Sequence, residues 1–217
     1  MFDDVKTIFF DYDGTIHNSI KVYGPAFRKA YGYLTEKGVV TNKIWTDDEI
    51  SYWLGYSVKA MWKEFMPDLD SMLRDEARKM IGDEMLRLIN KGEVVLYDGA
   101  LETLSYLRQK GYRLIFISNC SISYRDIARD TLGLGKYFEE MVCSQEYGYI
   151  PKYEILSMIK DKYPQKMVMI GDRFQDIEAG IRNGIHTIGC SYGFHRPDEL
   201  NEADLIINDI KELMTIL

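Results

Sequence analysis

The feature that most limits how this sequence can fold is an alternation of short apolar runs with longer helical patterns. Three helical patterns, at residues 100–110, 126–132 and 177–183, stop just before a glycine, which suits a left-handed helix cap. Strands that alternate with helices form βαβ units with parallel strands and right-handed crossovers. The sequence therefore predicts a doubly wound α/β fold around a parallel sheet. Most predicted strands are near-continuously apolar, as strands covered on both faces must be, and they span residues 7–11, 113–118, 141–144, 167–171, 186–190 and 205–207.

The alternation is interrupted once, directly after the first strand. Residues 19–93 contain no convincing strand, and this segment is too long for an ordinary crossover between strands. Its helical patterns cover residues 25–37, 47–54, 58–65 and 69–90. We therefore predict an α/β core domain from residues 1–16 and 96–217, with an inserted all-helical domain from residues 17–95.

The charge balance argues against polyanionic partners. The 217 residues include 27 Lys and Arg against 34 Asp and Glu, a net charge of −7. A negative field repels phosphate backbones and anionic lipids, so neither a nucleic acid nor a membrane is expected as a partner. Acidic residues precede the short first apolar run, unlike a signal peptide, and three scattered cysteines indicate reduced thiols. We expect a cytoplasmic protein, and the sequence leaves monomer or dimer undetermined.

Two pairs of acidic residues follow two of the predicted strands. Asp11 and Asp13 end the first strand and precede Gly-Thr, while Asp172 and Asp176 follow the strand at 167–171. In open α/β sheets ligands bind beyond the carboxyl ends of the strands, and carboxylate oxygens suit Mg²⁺. Each pair also has a structural interpretation, an Asp-Gly turn for the first and helix capping for the second. Their joint occurrence at one sheet edge favours a metal site.

Further polar residues are expected at the same edge. Ser118 ends the strand at 113–118 and Asn119 follows it. A hydroxyl and a main-chain N–H there can hold an anionic oxygen or cap the next helix. Lys152 follows Pro151 at the start of a helical pattern, where a cation opposes the helix dipole. The partner of Lys152 is a carboxylate of the site, a substrate phosphate or, in the structural alternative, only solvent.

In this order the motifs resemble those of the haloacid dehalogenase superfamily. They are Asp-x-Asp-Gly-Thr at 11–15, Ser118, Lys152 and Gly-Asp-x-x-x-Asp at 171–176. The resemblance covers nearly the whole chain, and residues 170–193 look closest to the phosphoglycolate phosphatase-like group. The helical insert is similar to the mobile α-helical cap of that superfamily.

The resemblance implies a role for each matching residue. Asp11 matches the nucleophile that becomes an aspartyl-phosphate, and Asp13 matches the acid/base that protonates the leaving alcohol and later activates water. Ser118 and Lys152 match the groups that bind the transferring phosphoryl group. The main-chain N–H of Asn119 is expected to contribute to the same phosphate-binding set.

The resemblance also implies a bound Mg²⁺ ion and a source of specificity. The metal ligands would be Asp11, Asp172 and the main-chain carbonyl of Asp13, with Asp176 supporting the metal shell. Substrate choice is implied to come largely from the cap. There Lys59, or the nearby Tyr56, is predicted to contact the substrate, and the alternative is a solvated helix residue.

The presence of Asp13 decides the predicted activity. Dehalogenase and phosphonatase members of the superfamily lack Asp here, so its presence implies a phosphate ester whose alkoxide leaving group needs a proton. We therefore predict a Mg²⁺-dependent phosphatase for a small soluble phosphomonoester, which is phosphoglycolate-like, a sugar phosphate or a nucleotide. Two alternatives stay open, a phosphomutase of the β-phosphoglucomutase type and a catalytically retired binding or regulatory scaffold.

Overall fold

The strands form one parallel sheet in the computed structural model, which describes residues 2–163 and 166–217. The strands are β1 (Val5–Phe10), β2 (Arg113–Ser118), β3 (Glu140–Cys143), β4 (Lys166–Gly171), β5 (His186–Cys190) and β6 (Leu205–Ile207). They lie in the order β3-β2-β1-β4-β5-β6, and every neighbouring pair is parallel. The predicted doubly wound α/β core is therefore confirmed. Because β1 lies between β2 and β4, the carboxyl ends of these three strands meet at the centre of one sheet edge.

Helices precede or follow these strands along the chain. Those of the described residues are α1 (Ile20–Glu36), α2 (Asp47–Ser51), α3 (Val58–Phe65), α4 (Ser71–Asn90), α5 (Ala100–Gln109), α6 (Ile122–Asp130), α7 (Lys152–Ile159), α8 (Phe174–Arg182) and α9 (Leu213–Ile216). None of these helices is long and apolar enough to cross a bilayer.

Three of the predicted helix starts are too late, those of α1, of α6 and of α8, which begins at Phe174 rather than at residue 177. Helix α1 begins at Ile20 and continues through Pro25, which was expected to open it. A proline lacks only one intrahelical hydrogen bond, and the packed apolar face of α1 outweighs that loss. Helix α6 begins ahead of residue 126, because the side chain of Ser121 caps it by accepting the main-chain N–H of Tyr124.

Both faces of the sheet are covered by apolar side chains. Along β1, Ile8 and Phe10 pack into one core cluster with Leu104 of α5, whereas Phe9 packs into a second cluster with Ile155 of α7. All five side chains are buried. Burial of each such side chain contributes roughly 1.5–3 kcal/mol before the entropy cost of folding. This arrangement explains why the strands are continuously apolar rather than alternating.

The chain divides into two compact units. The α/β unit comprises the residues up to His17 together with Leu96–Leu217, and the helical unit comprises Asn18–Val95. Within the helical unit α1 packs against α4, where Lys29 Nζ donates a hydrogen bond to Glu84 Oε2 at 2.6 Å. Aromatic rings near α1 add to this small core, since Phe27 contacts the ring of Trp45 edge to face at 5.2 Å between centroids.

Candidate active site

Three neighbouring strands bring the predicted residues to one edge of the sheet. Asp11 directly follows β1, Asp172 directly follows β4, and Ser118 is the last residue of β2. The pairing of β1 with β4 continues past the strand, because the Asp11 N–H donates to the Ile170 carbonyl at 2.9 Å. Parallel strands end at the same edge, so residues far apart in sequence meet here.

Three buried carboxylates form a cluster at this edge. One oxygen from each of Asp11, Asp172 and Asp176 lies within 4.8 Å of the other two. Asp176 belongs to the first turn of α8, and its Oδ2 accepts the main-chain N–H of Arg173 at 3.0 Å. Asp176 therefore caps the helix, as the structural interpretation of the sequence required, and also belongs to the cluster.

Lys152 is the cation of this cluster. It is the first residue of α7 and contacts two of the three acids. Its Nζ donates to Asp11 Oδ1 at 2.7 Å and to Asp176 Oδ1 at 2.5 Å. All three side chains are at most 4% exposed, so water screens these contacts little. Of the three partners that the sequence allowed for Lys152, the structure shows carboxylates. The contact fixes the orientation of the Asp11 side chain.

Burial dominates the electrostatics of the cluster. Burial, with Asp176 close by, raises the pKa of Asp11 to about 7. Burial also raises the pKa of Asp172 well above its ordinary value, and Asp11 adds to that shift. Burial alone would lower the pKa of Lys152, but Asp11 and Asp176 outweigh it and keep the ammonium charged. When all three acids are ionised, one ammonium leaves a net negative charge that a further cation would neutralise.

The donor set fits a divalent ion that prefers oxygen ligands. Asp172 Oδ1 is buried and has no hydrogen-bond partner among the described residues, while Oδ2 accepts the Phe194 N–H at 2.5 Å. A buried carboxylate oxygen without a partner is costly unless a cation joins it. Gly14 packs against the same carboxylate at a φ of +84°, where an added Cβ would lie 2.0 Å from Asp172 Oδ2. Buried carboxylates of this kind suit Mg²⁺.

Asp13 belongs to a separate hydrogen-bonded group. Its Oδ1 accepts the Tyr124 hydroxyl at 3.0 Å, and the same hydroxyl lies 3.1 Å from His17 Nδ1. Burial, with Asp13 nearby, raises the pKa of Tyr124 well above its ordinary value, so the hydroxyl keeps its proton. The sequence analysis missed Tyr124, because it lies 111 residues from Asp13 and no motif connects the two.

The other predicted residues lie in two parts of the chain. Ser118 is buried at the end of β2, and Asn119 is half-buried beside it. Lys59 is the second residue of α3 in the helical unit and has an exposed side chain, and Tyr56 is half-buried just before that helix. The clustered acids and their lysine all come from the α/β unit.

Comparisons with known proteins give a consistent result. The sequence model of the haloacid dehalogenase-like hydrolases matches residues 5–184. A phosphoglycolate phosphatase from Aliivibrio fischeri is 26% identical over 231 residues, covering 100% of this chain and 98% of that protein. Pyrophosphatase PpaX from Listeria monocytogenes is 25% identical over 222 residues, covering 98% of this chain and 96% of that protein. The crystal structure of a predicted phosphatase from Clostridium acetobutylicum matches with a TM-score of 0.82 at 22% identity, covering 99% of this chain and 98% of that one.

Proposed function

Since the chain belongs to the haloacid dehalogenase-like hydrolases, we propose that it is a Mg²⁺-dependent phosphatase acting on a small phosphomonoester. The sequence-based expectation of an enzyme from this superfamily is confirmed by that membership. The observation that carries the proposal is the contact of Lys152 with Asp11 inside a buried cluster of carboxylates. Because buried charges destabilise a fold, a cluster of several such residues indicates a catalytic or binding site.

The proposed reaction has two steps on Asp11. In the first step a carboxylate oxygen of Asp11 attacks phosphorus, the bond from phosphorus to the ester oxygen breaks, and its electron pair leaves with the alkoxide. Asp13 gives this alkoxide a proton, and Asp11 becomes an acyl phosphate. In the second step a water molecule attacks phosphorus and gives its proton to Asp13. The bond from phosphorus to the Asp11 oxygen breaks, its electron pair returns to the carboxylate, and inorganic phosphate is released. A carboxylate nucleophile thus divides one slow hydrolysis into two easier reactions.

The remaining residues neutralise and position the phosphoryl group. The carboxylates of Asp11, Asp172 and Asp176, with the main-chain carbonyl of Asp13, would hold Mg²⁺. When bound, the ion supplies positive charge beside the transferring group. Lys152 supplies a second positive charge. The Ser118 hydroxyl and the main-chain N–H groups of residues 12–14 and 119 would bind the other phosphoryl oxygens.

Mg²⁺ is expected to raise the melting temperature of the wild-type protein but not that of Asp172→Asn. An ion that binds only the folded state and is present at about 100 times its Kd adds roughly 2.7 kcal/mol to the free energy of unfolding. The amide of Asp172→Asn replaces one charged ligand of that ion. Scanning fluorimetry with MgCl₂ and with EDTA measures the shift. Asp4→Asn, at an exposed residue of the same unit, serves as the control and should keep the wild-type response. An equal shift in Asp172→Asn would place the ion elsewhere.

The substrate class is proposed from the relatives. A phosphoglycolate-like ester is the first candidate, because a relative named phosphoglycolate phosphatase aligns with the whole chain. Sugar phosphates and nucleoside monophosphates belong to the same chemical class. Inorganic pyrophosphate is a second candidate, because a relative of nearly equal identity is a pyrophosphatase.

The helical unit is proposed to act as the cap that selects the substrate. Its bounds, Asn18–Val95, include the exposed Lys59, which we assign to the anionic end of the substrate. We propose a cytoplasmic location, which is supported by three cysteines that form no disulfide, Cys120, Cys143 and Cys190.

Phosphate release tests the proposed function. The wild-type protein is assayed on p-nitrophenyl phosphate, a panel of small phosphate esters and pyrophosphate, with Mg²⁺ and with EDTA. We expect turnover that requires Mg²⁺, with the highest kcat/KM for a small alkyl phosphate. Isomerisation of a sugar phosphate primed with a bisphosphate, without phosphate release, would establish the phosphomutase instead. Silence in both assays would favour the retired scaffold.

A further inference from the structure

Building on the proposed function, we propose that Tyr124 and His17 are positioning residues that hold Asp13 in the orientation needed for proton transfer. Neither residue belongs to the four motifs on which the superfamily resemblance was based. Both lie in the α/β unit with Asp13, so the contacts involve one compact unit.

The contacts converge on one oxygen of Asp13. The Tyr124 hydroxyl donates to Oδ1 at 3.0 Å, and His17 Nδ1 lies 3.4 Å from the same oxygen. His17 Nδ1 also lies 3.1 Å from the Tyr124 hydroxyl, so the three groups form a closed triangle. The Asp13 side chain is 18% exposed, and within the described residues its Oδ2 makes no hydrogen bond. Oδ2 is therefore the oxygen left for substrate.

The burial of His17 sets the direction of these hydrogen bonds. The His17 side chain is fully buried, and its Nε2 has no hydrogen-bond partner in the described part of the chain. If Nε2 carried the ring hydrogen, it would be a buried N–H without an acceptor, which is rarer in proteins than a buried acceptor without a donor. We therefore assign the hydrogen of the neutral ring to Nδ1 and leave Nε2 as the unpaired acceptor. That N–H then donates to the Tyr124 oxygen, and the Tyr124 hydroxyl donates to Asp13 Oδ1.

Packing prevents these side chains from turning away. The Tyr12 ring stacks on His17 with 5.0 Å between centroids and contacts the Tyr124 ring at 5.6 Å. The main chain is held as well, since the Gly14 N–H donates to the His17 carbonyl at 2.8 Å. His17 is thus fixed by the same turn that carries Asp13. Preorganisation of this kind matters in catalysis because small displacements of an acid slow proton transfer.

The positioning role predicts an effect that depends on the leaving group. An alkoxide needs a proton as it leaves, whereas p-nitrophenolate is stable enough to leave without one. Loss of the correct Asp13 orientation should therefore slow alkyl esters selectively. A purely structural role for the triangle would slow both substrates equally.

The test is kcat/KM of Tyr124→Phe on two substrates with Mg²⁺. We expect a fall of about tenfold on phosphoglycolate, or on the best alkyl phosphate of the panel, and of less than about twofold on p-nitrophenyl phosphate. The ratio kcat/KM covers only the steps up to formation of the acyl phosphate, so slower release of phosphate does not enter. Asp13→Asn, which removes the acid itself, should show the same selectivity with a larger amplitude.

A histidine pair and a matched tyrosine control complete the test. His17→Leu should reproduce the selective loss, and His17→Asn should recover part of it, because the amide N–H takes the place of Nδ1–H. Tyr163→Phe removes a tyrosine–carboxylate hydrogen bond, to Glu140, elsewhere in the same unit. This control should not change the ratio between the two substrates.

The outcomes separate the positioning role from the proposed function. Equal falls on both substrates in Tyr124→Phe, with an active wild type, would overturn the positioning role and leave the phosphatase standing. A wild-type protein that is inactive on both substrates would overturn the phosphatase and the positioning role together. If Tyr124→Phe does not fold, the histidine pair decides, and His17→Asn no faster than His17→Leu on the alkyl phosphate would contradict the role.

Discussion

Replacing Asp11 by Asn is expected to abolish phosphate release from every substrate of the wild-type protein, lowering kcat by at least about 10⁴-fold. The amide keeps the shape of the carboxylate but cannot form an acyl phosphate by nucleophilic attack. The loss extends to p-nitrophenyl phosphate, because a good leaving group still needs a nucleophile. Phosphate release by the purified variant with Mg²⁺ measures the effect.

The inactive variant is expected to stay folded. Burial raises the pKa of Asp11 from 3.8 to about 7, so ionisation of Asp11 lowers the free energy of unfolding of the metal-free protein. This cost appears as the pH rises from 3.8 through about 7, and it is absent at lower pH. Asn carries no charge, so with EDTA the variant should melt no lower than wild type in alkaline buffer. A lower melting temperature there would contradict the assigned electrostatics.

Asp4 offers a matched control for Asp11. Asp4 precedes β1 at the opposite edge of the sheet and also contacts a lysine, Lys166, at 2.8 Å. Both side chains of this pair are mostly exposed, so water and salt screen the contact. Asp4→Asn should therefore keep wild-type kcat within about twofold. A comparable loss in both variants would mean that removing any acid from the unit is damaging.

Replacing Lys152 by Met is expected to lower both activity and stability. The ammonium lies between Asp11 and Asp176, and its loss leaves two buried carboxylates without a cation. Breaking such a buried pair costs about 3–5 kcal/mol of unfolding free energy, measured by urea denaturation at neutral pH with EDTA. Loss of a positive charge beside the phosphoryl group should lower kcat by roughly 10²–10³-fold with Mg²⁺.

The control for Lys152 is Lys166→Met, which removes the exposed lysine of the pair with Asp4. It should leave the urea midpoint and kcat essentially unchanged, since exposed ion pairs contribute little. Mg²⁺ should restore part of the stability of Lys152→Met, because the ion compensates the same carboxylates. Equal urea midpoints for the two lysine variants would show that Lys152 does not stabilise the cluster.

The acid cluster was predictable because its signals are local. Asp11 and Asp172 each follow an apolar run, and the rule that parallel strands end at one edge brings them together. The partner of Lys152 was not predictable, because the sequence places it at a helix start without showing which groups face it. The structure supplies that information through the packing of α7 beside β1 and α8.

Tyr124 and the start of α1 show where sequence reasoning fails. Tyr124 reaches Asp13 only because β2 and β1 are neighbours, and no periodic pattern encodes a contact across 111 residues. Pro25 is a strong local signal for a helix start, but tertiary packing overrides it. Contacts between distant side chains and competition between local and tertiary preferences need the folded chain.

The most direct measurement follows the reaction of Asp13→Asn with p-nitrophenyl phosphate and Mg²⁺. The release of p-nitrophenol is recorded over time, the reaction is quenched with acid, and mass spectrometry of the protein's peptides locates any phosphoryl group. This variant should still form the acyl phosphate with a good leaving group, but it should activate water slowly, so the intermediate accumulates. We predict a burst of one equivalent of p-nitrophenol and a phosphoryl group on Asp11. A steady release without a burst, together with an unmodified Asp11 or a phosphoryl group on another residue, would contradict nucleophilic catalysis by Asp11.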